Sequence, residues 1–428
     1  MKRKRLWLPL LGLCMMGVAI LYIEHMMGFL YYVKTNASLQ LTRPPSSPNL
    51  ILSVAIGYAP LFFYKFLGSL RESCGPDACH VVLFVSEKEL NQTDIVELIE
   101  HFDAHTELMA YDTYVDEWPR LLNDSGPLSP FFARTNMAGY RFGYLLAWLT
   151  RFLKQPQNEA SFPYIFVADF RDVLFQDNVF ERIPNALATW TPSHSNRSWL
   201  FGSGGREWTT SQAPDFLRDA VTDPLHIPFL FAFSETQNFI LGVSGHNADW
   251  VLGAYGHAVL LSLFFRNVIC AGTVLGNRQG ILIWLKAMVH EIERLSARKE
   301  PYDSFDQAIH LVLLHQDKMK ELGLRTFLVK NENNGLVYTM ATMVQASRTV
   351  LGTVETAPGV APAVLHQYDR FPQLKDFYDH KYALVSKEEQ HIDKRTPPPP
   401  PLTLFPWAVE KPVGRRRQFY SMHKKPIR

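Results

Sequence analysis

Cysteine is scarce in this sequence of 428 residues, which contains only four. Cys14 lies in an apolar run and Cys270 stands alone, so Cys74 and Cys79 are the only close pair. A structural zinc site usually needs a second such pair to complete four ligands, which argues against that class of site here. The turn-forming residues between Cys74 and Cys79 favour a small local disulfide, and two free thiols on a loop remain the alternative.

The sequence also lacks the signatures of several other protein classes. Residues 202–205, Gly-Ser-Gly-Gly, do not form the Gly-x-Ser-x-Gly turn that carries the nucleophile of many serine hydrolases. No repeat of about 20–50 residues stands out. Basic residues are concentrated at the two ends, so the total net charge of +2 leaves a net charge of about −8 on the central part of the chain. An acidic body argues against a nucleic-acid partner and suits a protein that holds a divalent cation.

An uncharged apolar stretch covers residues 6–23, directly after four basic residues at positions 2–5. Its length is close to the ~20 residues that cross a bilayer as a helix. Basic residues on its N-terminal side predict a cytoplasmic tip at residues 1–5 and a lumenal remainder. A cleaved signal peptide is the alternative, although its apolar core is usually shorter and the residues after position 23 make a poor cleavage site. The sequence therefore predicts a single-pass type II membrane protein.

The rest of the chain divides into a stem, a body and a tail. Residues 24–48 are predicted to form the stem, residues 49–384 one lumenal domain, and residues 385–428 a disordered tail rich in proline and basic residues. Four glycosylation sequons lie on the predicted lumenal side, and each tripeptide is a weak signal by itself. They begin at Asn36, Asn91, Asn123 and Asn196.

Apolar runs alternate with helical patterns inside residues 49–384. The apolar runs predict strands at residues 50–57, 81–85, 108–111 and 164–168. Helical spacing predicts helices at residues 61–70, 94–101 and 137–153. Continuous apolar strands separated by helices predict an α/β fold, with a mostly parallel sheet covered by helices on both faces.

Charged residues follow the predicted strand at residues 164–168, where Asp169, Arg171 and Asp172 come in quick succession. In open α/β sheets, ligands bind at the carboxyl ends of the strands. Carboxylate oxygens suit Mg²⁺ or Mn²⁺, which bind diphosphates and neutralise their charge. The alternative is structural, namely a salt bridge between Arg171 and one aspartate at the end of a strand.

The segment from Tyr164 to Phe180 reads as an apolar strand, then Asp-x-Arg-Asp-Val-x-Phe-Gln, then Asn-x-Phe. It resembles the metal-binding segment of nucleotide-diphospho-sugar glycosyltransferases of the GT-A type, in which an Asp-x-Asp-like element holds a divalent cation on the donor diphosphate. The spacing here is Asp-x-x-Asp, so which of Asp169 and Asp172 touches the metal stays open. The resemblance implies a GT-A-like, Rossmann-like fold and transfer of a hexose or pentose.

The same resemblance implies the ligands and the cell compartment. The donor would be a nucleotide-diphosphate sugar, the cofactor Mn²⁺ or Mg²⁺, and the acceptor a glycan or glycoprotein. Together with the type II layout, the resemblance implies a Golgi membrane protein.

Other segments follow in the order that the resemblance implies. The nucleotide base would sit at the end of the first strand, and a phosphate or sugar would meet basic residues and a glycine-bearing loop at residues 268–276. Small residues are needed in such a loop because backbone must approach the ligand closely, and an ordinary strand-to-helix turn is the alternative. The donor-binding residues implied are Gly57, Tyr58, Arg134, Arg141, Arg171, Gly272 and Thr273.

Two further residues complete the implied site. Asp306 would act at the acceptor site as a base or hydroxyl clamp. In the competing interpretation Ser304 and Gln307 form a helix capping box, and Asp306 only favours the positive helix end. His366, after a short apolar run, resembles the closing histidine that supplies a further metal ligand, and a satisfied core histidine is the alternative.

Two other classes of function stay open from sequence. A non-catalytic lumenal scaffold or glycan-binding protein on the same fold would show no metal-dependent affinity for nucleotides. A metal-dependent hydrolase would use water in place of the acceptor, and it usually needs more ligands close together than Asp169 and Asp172.

Overall fold

A computed structural model describes residues 48–109, 137–154, 162–184, 227–235, 239–296, 305–330, 335–340, 347–348, 352–356 and 359–383. All of them belong to the second of two units of the chain, Ser46–Arg428. The predicted anchor, nearly all of the stem, the tail from residue 385 and Arg134 lie outside the described residues. Within the described ranges, no helix combines the length and the apolar character needed to span a membrane.

The central sheet of the described residues has seven strands, and most of its pairs are parallel. The strands are β1 Asn49–Val54, β2 Cys79–Val85, β3 His105–Leu108, β4 Tyr164–Ala168, β6 Phe229–Ser234, β7 Ile269–Asn277 and β8 Arg325–Val329. They lie in the order β3-β2-β1-β4-β7-β6-β8. Only β7 is antiparallel to its neighbours, β4 and β6. The predicted α/β class with a mostly parallel sheet is confirmed.

Helices cover both faces of this sheet. The α-helices of the described residues are α1 Pro60–Ser73, α2 Glu87–Leu90, α3 Thr93–His101, α4 Met137–Leu153, α5 Gly245–Tyr255, α6 His257–Leu263, α7 Arg278–Ser296, α8 Phe305–His315, α9 Lys318–Glu321 and α10 Pro372–Lys381. Short 3₁₀ helices cover Leu241–Val243 and Tyr368–Arg370. Alternate residues of a strand point to opposite faces. Leu50 and Leu52 of β1 therefore pack with α4 and α7, whereas Ile51 packs with α1 and α3.

A second sheet of three short strands joins distant parts of the chain. The strands are β5 Val173–Phe175, β9 Val337–Thr339 and β12 Val364–His366, in the order β5-β12-β9. His366 lies opposite Val173 in the antiparallel pair of β12 and β5, and the backbone N–H of Gln367 donates to the carbonyl of Asp172 at 2.7 Å. This ladder places residue 366 beside residue 172. A further pair consists of β10 Ser347–Arg348 and β11 Val354–Glu355.

Some sequence predictions agree with the structure and others do not. The bounds of α4 and β4 match, and Cys74 and Cys79 form the predicted disulfide, with 5.9 Å between their Cα atoms. The third strand was predicted at residues 108–111 but covers His105–Leu108. It lies at the edge of the sheet, where side chains are partly exposed and an apolar run is not required.

The prediction of a glycine-bearing loop at residues 268–276 is wrong, because β7 occupies this part of the chain and is buried along its whole length. β7 is hydrogen-bonded on both sides, to β4 and to β6. Its glycines allow neighbouring backbone and side chains to pack closely against the strand. A Cβ atom on Gly276 would lie 2.6 Å from the carbonyl oxygen of Phe229.

Candidate active site

The candidate site lies where the strand order reverses. From β1 the chain first builds β2 and β3 on one side and then returns to build β4 on the other side of β1. In open α/β sheets, ligands bind in the crevice at the carboxyl ends of the two strands that flank such a point. A cavity of about 290 Å³ opens here. It is lined by residues 52–54, 56 and 58 around the end of β1 and by residues 167–172 around the end of β4.

Asp169 and Asp172 line this cavity, and His366 converges on them from the buried side. Each offers one ligand atom, and these atoms lie within 4.8 Å of one another. His366 Nε2 is 3.7 Å from Asp169 Oδ2 and 3.6 Å from Asp172 Oδ1, too far for hydrogen bonds. His366 is fully buried, and its Nε2 has no hydrogen-bond partner.

A divalent cation fits this donor set. Ligands held ~2.1 Å from an octahedral ion lie roughly 3 Å apart when adjacent and roughly 4 Å apart when opposite. The separations of 3.6 and 3.7 Å fall between these limits. Two carboxylates and one imidazole are hard or borderline ligands, which suit Mn²⁺ and Mg²⁺. The unpartnered Nε2 of His366 faces the two carboxylates, as a metal ligand would.

The fold explains why these three side chains meet. Asp169 directly follows β4, and Asp172 directly precedes β5. The ladder between β5 and β12 then brings His366 to the same place. Gly272 of β7 leaves the space that they occupy, because a Cβ atom there would lie 2.7 Å from His366 Cε1 and 2.8 Å from His366 Nε2.

Asp169, Asp172 and His366 are called the triad below. Arg141 of α4 bridges two acidic groups, one of them in the triad. Its guanidinium is paired with Asp169 Oδ1 through Nη1 and with Asp306 Oδ2 at 2.8 Å through Nη2. Asp169 therefore presents one oxygen to Arg141 and the other to His366. Arg141 also lines the cavity, which leaves its guanidinium within reach of a bound anion.

The electrostatics of the site differ between its two aspartates. Burial raises the pKa of Asp169, but Arg141 and His366 outweigh it and bring the pKa down to about 2. For Asp172, burial together with the charges of Asp169 and Asp369 raises the pKa, and His366 only partly opposes them. Burial lowers the pKa of His366, but Cys270 and Asp172 beside the ring raise it well above its ordinary value. The site therefore concentrates negative charge that a cation would neutralise.

Arg171 lies at the rim of the site and is half exposed. Its Nη2 is 3.4 Å from Asp172 Oδ2, and its Nε is 3.3 Å from Asp369 Oδ2. The salt bridge considered from sequence is present, yet Asp172 still directs its other oxygen toward His366. Arg171 is thus held over the triad by two acidic residues.

Asp306 and Gln307, at the start of α8, bond to two different elements, α4 and β7. Asp306 binds Arg141, and burial raises the pKa of its carboxyl group. The amide of Gln307 accepts a hydrogen bond from the N–H of Ala271 and donates one to the carbonyl of Ile269, both at 2.8 Å. Gln307 therefore anchors α8 to β7, where a capping box was considered. Ser304 lies outside the described residues, and the role of Asp306 toward an acceptor stays a prediction.

The remaining predicted donor residues lie at different distances from the cavity. Gly57 has a positive φ of 81°, and Tyr58 after it lines the cavity with its ring 5.5 Å from that of Phe170. Gly272 lines the cavity as well. Thr273, the next residue of β7, is fully buried and pairs with Ala168. Their roles toward a donor stay predictions.

Several residues of the site were missed from the sequence. The buried carboxylate of Glu89 accepts a hydrogen bond from the N–H of Gly57 at 2.9 Å and so fixes the turn before Tyr58. Cys270 and Thr339 flank His366 on the side away from the aspartates. No local pattern identifies them, because Glu89 reaches Gly57 from helix α2, and Cys270 and Thr339 reach His366 from strands that are distant in sequence.

Comparisons with known proteins give low sequence identities and low TM-scores. No protein-family model matches the chain, and no curated protein matches it. The galactosyltransferase LgtC, solved with donor and acceptor sugar analogues, is 11% identical with a TM-score of 0.38, over 80% of this chain and 99% of LgtC. Mouse xyloside xylosyltransferase 1 in its apo form is 11% identical with a TM-score of 0.36, over 69% of this chain and 88% of that protein. Similarity this low carries no conclusion about activity, so the functional assignment rests on the geometry of the site.

Proposed function

We propose that this protein is a metal-dependent glycosyltransferase. It would move a hexose or pentose from a nucleotide-diphosphate donor to a hydroxyl of a glycan or glycoprotein. We also propose that it works as a type II protein of the Golgi membrane, since residues 6–23 have the length and apolar character of an anchor. The observation that carries the proposal is the convergence of Asp169, Asp172 and His366 beside a cavity at the reversal point of the sheet.

The residues around the cavity suit a donor of this kind. Tyr58 offers an aromatic face at the end of β1, where a base can stack. Arg141 and Arg171 can donate charge-assisted hydrogen bonds to a diphosphate at the cavity. Asp169, Asp172 and His366 would hold Mn²⁺ or Mg²⁺. Such an ion, when bound, supplies positive charge that offsets the charge growing on the leaving diphosphate.

The transfer itself exchanges one bond for another. An acceptor hydroxyl oxygen forms a bond to the anomeric carbon of the sugar, and the bond from that carbon to the diphosphate oxygen breaks. Asp306 is the proposed base or clamp for the acceptor hydroxyl, and its raised pKa suits a group that takes up a proton. Arg141 links Asp306 to Asp169, so the acceptor and donor sides share one guanidinium.

The test is a titration of the purified full chain with a panel of nucleotide sugars, first with Mn²⁺ and then with a chelator. We expect metal-dependent binding or slow hydrolysis of one donor. The variant Asp172→Asn should weaken metal binding at least about 100-fold, since even residues that only support a metal ligand often cost 10–100-fold. Asp177→Asn is the matched control, because Asp177 lies in the same segment but pairs with the surface residue Arg182.

The outcomes separate the proposed function from its alternatives. A folded protein that binds no donor from the panel, with or without Mn²⁺, would favour the scaffold or glycan-binding function. Release of sugar to water at full turnover, with no gain from any acceptor, would favour a hydrolase. Unchanged activity in both Asp169→Asn and Asp172→Asn would exclude the proposed metal site.

A further inference from the structure

The ring of His366 has two polar neighbours on the side away from the aspartates. Its Nδ1 is 3.4 Å from Thr339 Oγ1 and 3.5 Å from Cys270 Sγ. All three side chains are buried. The position of Thr339 is set by the sheet, because Thr339 lies opposite His366 in the parallel pair of β9 and β12.

Metal binding constrains which nitrogen of His366 carries the proton. A neutral imidazole has one N–H and one free lone pair, and the nitrogen that binds a metal must offer the lone pair. The Nε2 atom faces Asp169 and Asp172, so in the metal-bound form the proton lies on Nδ1. That N–H is buried and needs an acceptor.

The two neighbours are not equal as acceptors. Sulfur is a weak acceptor, whereas a hydroxyl oxygen has two lone pairs. Cys270 Sγ also already accepts the backbone N–H of Gly272, at 3.4 Å. A thiol that donated to Nδ1 would favour the opposite tautomer, with the proton on Nε2, which cannot bind a metal.

We propose that Thr339 is a positioning residue that accepts the Nδ1–H of His366 and so keeps Nε2 free for the cation. This inference rests on the metal site of the proposed function. Outer hydrogen-bond partners of this kind orient a ligating histidine and fix its tautomer. Cys270, at nearly the same distance from Nδ1, is the weaker acceptor of the two.

The experiment measures Mn²⁺ affinity by electron paramagnetic resonance, on the full chain without any nucleotide. Thr339→Val keeps the shape of the side chain and removes the acceptor, and it should weaken Mn²⁺ binding about tenfold. Thr339→Ser restores the hydroxyl and should recover most of the affinity. Thr326→Val is the matched control, because Thr326 lies in β8 opposite Leu230 and not beside His366, and it should bind Mn²⁺ as the native protein does. Cys270→Ala removes the competing neighbour and should lose less affinity than Thr339→Val. Urea unfolding of each variant shows whether it is folded, and Thr339→Ala replaces the valine variant if that one is not.

Two results would overturn the inference. One is native affinity in Thr339→Val and Thr339→Ala, and the other is a loss in Cys270→Ala as large as that in Thr339→Val. A native protein that binds no Mn²⁺ would instead count against the metal site of the proposed function. The comparison among variants and the behaviour of the native chain therefore report on the two proposals separately.

Discussion

Gly272 shows how much of the site depends on the absence of one carbon atom. The residue lies within β7, and its carbonyl accepts the backbone N–H of Asp169 at 2.7 Å. Its Cα faces Asp169 and His366, so any side chain at this position would enter the volume between two proposed ligands. Because β7 cannot move away without losing its pairing with β4, the ligands would have to move instead.

We therefore expect Gly272→Ala to weaken metal binding at least about tenfold while the protein stays folded. The added methyl group meets the ends of side chains, which can turn away at the cost of ligand geometry. Isothermal titration with Mn²⁺ and urea unfolding measure the two effects.

Gly276→Ala is the control on the same strand. Its methyl group would meet the backbone oxygen of Phe229, which cannot turn away. It should reduce the free energy of unfolding by about 1–3 kcal/mol, the usual cost of overpacking, and leave metal affinity unchanged. Native affinity in Gly272→Ala would show that the ligands do not use the space beside β7.

The sequence predicted the chemical type of the site residues better than their contacts. Asp169 and Asp172 stand out because two carboxylates follow an apolar strand, and the family resemblance drew attention to His366. The contacts of Arg141 with Asp169 and Asp306 were not predicted, since they join three separate elements. Thr339 and Cys270 were missed because an isolated threonine or cysteine in an apolar strand resembles any other core residue.

At the scale of elements, α10 is fastened to α1 by a buried charge. Lys65 of α1 is only 2% exposed, and its Nζ is 2.6 Å from Asp379 Oδ1 of α10. Asp379 is 22% exposed and also pairs with Lys375 of its own helix. Removal of Asp379 would leave a buried ammonium group without this partner, whereas removal of Lys65 would leave a partly exposed carboxylate that still pairs with Lys375.

Asp379→Ala should cost about 3–5 kcal/mol of unfolding free energy, because it leaves the buried ammonium of Lys65 without its anion. Lys65→Met should cost far less, since methionine fills a similar volume and Asp379 keeps Lys375 and some water. Urea unfolding of both variants measures the difference. Equal losses would show that the pair acts only through packing.

The ion pair of Lys65 and Asp379 also predicts in which direction acid changes the stability of the protein. Burial raises the pKa of Asp379, but Lys375 and Lys65 outweigh it and hold the pKa below its ordinary value. The stabilisation is therefore complete above the unfolded pKa, about 3.9, and is lost as the pH falls through the folded pKa. Lys65→Met should show a smaller loss of stability over that acid range than the native protein.

Elements were predicted well where burial alone determines them. The strands β1, β2 and β4 are mostly apolar because helices cover both of their faces, and their runs were found from sequence to within a few residues. The edge strand β3 has a polar sequence and was placed too late in the chain. The strand β7 was taken for a loop because its glycines suggested a turn, when they permit close packing.

At the scale of the whole molecule, glycosylation of Asn91 tests whether the body enters the secretory lumen, as proposed. Asn91 directly follows α2 and is exposed, as is Thr93 of the same sequon. A glycosyl group can be added there only if the body enters the secretory lumen. The other three sequons lie outside the described residues.

We expect the protein from secreting cells to carry a glycan at Asn91. Treatment with an N-glycosidase should increase its mobility on a gel, and Asn91→Gln should remove one step of that shift. Thr93→Ala should behave like Asn91→Gln, whereas Thr93→Ser keeps the sequon and should keep the glycan. No shift in any of these proteins would count against a lumenal body.

The ladder between β5 and β12 has a consequence for the order in which the protein is made. Asp169 and Asp172 leave the ribosome early, but His366 comes from nearly the last described part of the chain. A growing chain that has not yet reached β12 holds two carboxylates without their imidazole and would bind the proposed cation only weakly. That cation would be tightly held only after translation of the body is almost complete, and a truncated product would be recognised by its failure to retain metal.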